Sequence, residues 1–171
     1  MISNLKRVAL GDRRSIAGTV YGTIIVMSVL AAGANPYERT LWRLLVIAAV
    51  SEIVLWLAHV YSHGLGESLS LERRLTLDEL RSIARREYSI VAAAILPLAA
   101  VALGVADILP PRTAVRLGLW IGVAALAAQG VRYARLERLS PPATILAVGL
   151  NLAVGLGLVG LEVLIAHAHA G

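Results

Sequence analysis

Four side chains within one apolar stretch, Trp42–Ser70, have types and spacing that could do chemistry: Glu52, His59, His63 and Glu67. In a continuous helix, His59, His63 and Glu67 stand at i, i+4 and i+8 and share one face, and Glu52 and Trp56 carry the stripe further along. Two imidazoles and a carboxylate on one face suit a borderline divalent cation such as Zn, Fe(II), Mn or Co, with a fourth ligand from another helix or a second copy. The same groups suit a proton path, because imidazole titrates near neutrality and a desolvated carboxyl rises towards it. The plainer alternative makes the two histidines interfacial anchors and Glu67 a solvated helix end. A carboxylate at the depth of Glu52 is costly in lipid, which makes it a functional candidate. Its alternative is neutralisation by protonation or by hydrogen bonds from Ser51, Gln129 or Asn151.

The elements that must position these groups are apolar. Of 171 residues, 58% are hydrophobic, and the mean hydropathy is +0.75, which is too apolar for an ordinary soluble domain. The sequence predicts an all-α integral membrane protein, a single domain of five transmembrane helices at about 16–34, 41–63, 88–106, 113–131 and 143–166. A short amphipathic cytoplasmic helix, about 71–86, joins the second and third spans, and Thr76 with Glu79 forms a capping box that opens it. The absence of cysteine excludes disulfides, thiolate metal sites and catalytic thiols. A net charge of +5 is carried in short runs between apolar segments, a pattern that encodes topology and not nucleic-acid binding. With the amino terminus inside, 12 of 16 Lys and Arg fall on the inner side, against Arg39, Arg43, Arg112 and Arg116 outside. That predicts a plasma-membrane protein with a cytoplasmic amino terminus, no cleaved signal and an external carboxyl terminus.

Within the spans, Gly18 and Gly22 form a GxxxG pair suited to close helix packing, as are Gly149, Gly155, Gly157 and Gly160 in the fifth. Tyr21, with Thr19, Thr23 and Ser28, gives the first span a polar side, although Ser and Thr often bond back to their own helix. Glu52, Tyr21, Gln129 and Asn151 form the candidate proton or ion pathway. Met27 is a gap-filler or a soft ligand, and Pro97 kinks the third span. Glu162, near His167 and His169, is an interfacial acid or part of a weak external site. RTLWRL at Arg39–Leu44 recurs as RTAVRL at Arg112–Leu117, a faint echo that places Glu52, Trp56 and His59 opposite Ala125, Gln129 and Arg132. The GLGLVG run follows no strand and is not a dinucleotide fingerprint. No triad or phosphate loop is visible, so no enzyme is expected.

The segment HVYSHGLGESLS at His59–Ser70 resembles the end of the second membrane helix in the vacuolar iron transporter family, whose pattern is of the kind SMGLGEYLS. Ser62, Gly64, Leu65, Gly66, Glu67, Leu69 and Ser70 match as they stand. The family is similar in having five membrane helices, a cytoplasmic insertion after the second, and a third helix rich in Ala, Leu and Pro, like Ala92–Gly104 here. This chain departs from the pattern at His63, where methionine is usual, at Ser68, where tyrosine is, and at Ala17, where an acid is. Its insertion is short and arginine-rich, where the family has a glutamate-rich bundle. The resemblance implies a homodimer that moves an iron- or manganese-type divalent cation against protons; the residues expected to carry the metal, from their own types and spacing, are Glu52, His59, His63 and Glu67, with the metal as substrate and no permanently bound cofactor. The alternatives are a non-transporting scaffold that meets a membrane or cytoplasmic partner through residues 71–86, and a proton or small-cation channel.

Overall fold

The computed structural model describes residues 13–168, with side chains over 15–165. Lys6, Arg7, the side chains of Arg13 and Arg14, and the tail histidines His167 and His169 therefore lie outside the described side chains. Among the described residues six α-helices follow in order: α1 (Arg13–Gly33), α2 (Leu41–Ser70), α3 (Leu77–Glu87), α4 (Ser89–Val105), α5 (Pro111–Leu136) and α6 (Pro141–Ala168), with a 3-10 turn at Glu38–Thr40. There is no strand among the described residues. Four stretches are long and apolar enough to cross a membrane: Ser15–Gly33, Glu38–Ser70, Pro111–Leu136 and Pro141–Ile165. The expected third span is α4, 17 residues long and so about 26 Å. It reaches span length only together with α3, from which it bends by 42°.

α1 is the hub. Val26, Met27, Leu30 and Ala31 are wholly buried against residues of α2, α4 and α5, among them Leu44, Val101 and Leu119. Small residues permit this proximity. A side chain at Gly18 would strike the Ser89 hydroxyl, and one at Gly22 would strike the Ile90 carbonyl, so the GxxxG pair seats α1 on the start of α4. Met27 fills the space that Gly122 leaves on α5, and Gly118 lies against the Pro97 carbonyl. In α6 only Gly155 is in close contact, against Val123 and Leu126, while Gly149, Gly157 and Gly160 face open space. That corrects the expectation of tight packing for all four. The outer face of α6 is bare of protein, with Ile145, Leu146, Leu150 and Leu164 exposed.

α2 continues past the expected span of about 41–63, as the shared face of His59, His63 and Glu67 requires, and runs 30 residues to Ser70, about 45 Å, some ten residues more than a roughly 30 Å hydrocarbon layer requires. The amphipathic helix does not begin at residue 71. Leu71 caps α2, Glu72 adopts a left-handed φ of 53°, and the Arg73 amide donates to the Ser68 carbonyl, which ends the helix. α3 then starts at Leu77 behind Thr76, whose hydroxyl accepts from the Glu79 amide while the Glu79 carboxylate accepts from the Thr76 amide.

Candidate functional site

Because α2 continues through Gly64 and Gly66, His59, His63 and Glu67 do line one side of it, over the length that overhangs a bilayer's thickness. Gly64 leaves room for Leu75, Leu80 and Ile83, so α3 folds back along α2. The result is a groove of about 720 Å³ between α1, α2 and α3, whose walls include Tyr21, His59, His63, Glu67, Arg86 and Glu87.

The imidazole, carboxylate and guanidinium groups in the groove each have a partner. The Nδ1 of His59 is 3.0 Å from the Leu55 carbonyl, which leaves Nε2 to face the groove, and the Tyr21 ring lies 5.1 Å from the imidazole between centroids. The Nδ1 of His63 is 3.0 Å from Glu87 Oε1, and Glu67 Oε1 accepts from Arg86 Nη2 at 3.1 Å. Besides the imidazoles, the groove's ionisable walls are two carboxylates against one guanidinium, a balance that favours a cation. His63 is the more open member of its pair, its side chain 58% exposed against 15% for Glu87. Among the described residues, no three His, Asp or Glu side chains converge as a ready metal-ligand group. A cation here has to take Glu67 from Arg86 and His63 from Glu87.

Glu52 stands apart from the other three. It follows Leu41, Leu44 and Ala48 on the buried stripe of α2, is 1% exposed, and does not line the groove. Neither of its carboxylate oxygens has a hydrogen-bond partner. The partners expected from sequence are engaged elsewhere: Gln129 Oε1 accepts from Arg132 at 3.1 Å, and Asn151 Nδ2 donates to the Ala147 carbonyl at 3.0 Å. Trp56 also leaves the stripe, its Nε1 donating to the Ala84 carbonyl at 3.0 Å.

The expected pathway set is thus divided. Tyr21, Gln129 and Asn151 meet in a second cavity of about 460 Å³ between α1, α5 and α6, with Tyr133 and Glu137 at its polar end, and Glu52 does not line it. Ala17 and Tyr21 line both this cavity and the groove. The hydroxyls of Thr19, Thr23 and Ser28 donate to carbonyls of Ser15, Thr19 and Ile24 on their own helix, at 2.7, 2.8 and 2.7 Å. Glu162 is buried in α6, close enough to Arg112 for its charge to act there.

No family model, curated protein or solved structure matches this chain. The likeness of His59–Ser70 to the iron-transporter segment therefore rests on those residues. Sequence reasoning missed Arg86 and Glu87, which complete the groove from the last turn of α3, 19 and 24 positions after their partners Glu67 and His63. Charges at a helix end ordinarily read as solvated, and only the fold-back of α3 makes them part of a site.

Proposed function

We propose that this chain is a multi-pass plasma-membrane protein, amino terminus inside and carboxyl terminus outside, that moves a divalent cation of the iron or manganese type in exchange for protons, as a homodimer. The observation that carries the reading is that His59, His63, Glu67 and Glu87 line one groove at the overhanging end of a span-length helix. Carboxylate and imidazole are the ligand types such ions take. A divalent cation that takes the place of Arg86 on Glu67 offsets the charge of both carboxylates in the groove. The match at Ser62, Gly64–Glu67, Leu69 and Ser70 to the iron-transporter pattern points the same way. The bare apolar face of α6 suits contact with lipid or with a second copy.

The test is thermal unfolding of the purified protein with Mn²⁺, Co²⁺ or Zn²⁺. Stabilisation that His63→Ala and Glu67→Ala each abolish is the expected result; no response to any of these ions contradicts the reading. A second reading, a non-transporting assembly protein, is favoured by the absence of a ready three-ligand group among the described residues. It predicts no response to metal together with a stable partner or self-association.

A further inference from the structure

On the side of α3 away from the groove, two notches share a pair of arginines. One, of about 310 Å³, is lined by Trp56 of α2, by Arg81, Ala84 and Arg85 of α3, and by Tyr88. The other, of about 490 Å³, is lined by Arg81, Ser82 and Arg85, with Asp78 and Arg86 at its ends. Arg81 and Arg85 are one helical turn apart, so their guanidinium groups stand between an aromatic hollow and a polar one. Arg85 makes no hydrogen bond or ion pair among the described residues. Arg81 reaches only Asp78, at 3.3 Å, a pair so exposed (71% and 91%) that it holds the arginine weakly. The indole of Trp56 is fixed by its bond to Ala84 and gives the first hollow a rigid wall.

Trp56 lies 15 residues beyond Leu41, about 22 Å along the helix, in the inner half of a roughly 30 Å hydrocarbon layer and about 8 Å short of its inner boundary. One and two turns further into that layer, Ile53 and Val50 are exposed, so an apolar track leads away from the hollow. From that depth the long side chains of Arg81 and Arg85 extend towards the headgroups while Trp56 meets the upper acyl chain, and tyrosine, tryptophan and arginine are residue types of such a border.

We propose that this corner of α2 and α3 holds one anionic phospholipid, its phosphate on Arg81 and Arg85 beside Ser82, its glycerol and upper acyl carbons against Trp56 and Tyr88. The inference rests on the membrane reading above, and the expected inner orientation places the site in the leaflet where anionic lipids carry the negative surface potential. A guanidinium pair binds a phosphate diester by charge-assisted hydrogen bonds, and a zwitterionic headgroup gains less because its own cation competes. Arg86 borders both the second notch and the cation groove but pairs with Glu67, and Arg81 and Arg85 do not line the groove, so their substitution leaves its ligand side chains in place.

The test uses the full chain carrying Trp42→Phe and Trp120→Phe, which leaves Trp56 as the single tryptophan of three. The protein is reconstituted into phosphatidylcholine vesicles with rising fractions of phosphatidylglycerol brominated near the top of its acyl chains, against brominated phosphatidylcholine. The expected result is half-maximal quenching of Trp56 at about a tenfold lower mole fraction of the anionic lipid. Arg81→Ala with Arg85→Ala should remove that difference while vesicle incorporation and metal response stay unchanged. Equal quenching by both lipids, or a difference that survives the double substitution, overturns the lipid site alone. Reversal of the difference by millimolar inorganic phosphate assigns the arginines to a soluble anion and also overturns it. Failure of the protein to float with any vesicle overturns this inference and the membrane reading together.

Discussion

At the scale of single residues, Glu52 and Glu67 show how one helix gives two carboxylates different uses. Glu67 is 43% exposed in its side chain and shares Arg86, whereas Glu52 is sealed in the core with both oxygens unpartnered. An unpaired buried polar group costs about 1–3 kcal/mol on protein mutational scales. Glu52→Leu is therefore expected to raise unfolding stability by about that much, measured by denaturation in detergent. Loss of stability would mean that the carboxyl is held by something more than burial. For Glu67 the competition with Arg86 sets the expectation. An exposed pair of this kind contributes about 0.2–1 kcal/mol, so Arg86→Ala should tighten Mn²⁺ binding by no more than about five-fold. Calorimetric titration measures it, and weaker binding in the variant would show that Arg86 supports the ion and does not compete with it. The i, i+4, i+8 face of His59, His63 and Glu67 was legible in the sequence because it needs only a continuous helix. The fate of Glu52 was not, since whether a carboxyl meets a cavity or packed methyl groups depends on which neighbours α1 and α4 present to it.

At the scale of elements, the close approach of α1 to α4 depends on Gly22. A leucine there meets the backbone of Ile90, which cannot move aside as a side chain can, while Gly157 faces open space. Gly22→Leu is expected to destabilise by about 1–3 kcal/mol or more, and Gly157→Leu to be nearly silent, in paired denaturation curves. Equal effects would remove the packing role. α3 is anchored at its start by Glu79, whose carboxyl is held down from its ordinary 4.5 to about 2 by the Arg73 guanidinium, helped by the Thr76 amide and hydroxyl. A depressed carboxyl stabilises fully above its unfolded value and loses that contribution as pH falls. The first turn of α3 should therefore hold above pH 4.5 and loosen between about 4.5 and about 2. Amide exchange at Leu77–Leu80 checks this, with Glu79→Gln expected to flatten the pH dependence. The capping box was visible in the sequence as Thr76 and Glu79 because its chemistry is local. The start of α3 was blurred because Leu71 and Leu75 continue a helical period across a turn that the left-handed Glu72 enforces.

At the scale of the whole molecule, hydropathy made the helices legible, since each apolar stretch is longer than a soluble core would need. The back-folding of α3 was hidden, because it depends on Gly64 making room for Ile83 and on partners about twenty residues apart, Glu67 with Arg86 and His63 with Glu87. The short α4 likewise reaches span length only with its bent neighbour, a relation no single stretch of sequence displays. Arg112 Nε donates to Glu38 Oε1 at 2.9 Å and ties the turn before α2 to the start of α5. The groove and the Tyr21 cavity flank α1, and cation movement past them is open to direct measurement. That measurement is Mn²⁺ uptake into proteoliposomes holding the full chain, with a pH step as driving force. The expected result is uptake above that of protein-free vesicles, abolished by His63→Ala with Glu67→Ala and preserved in Gly157→Leu; uptake no faster than in protein-free vesicles, or unchanged by the double substitution, would contradict it.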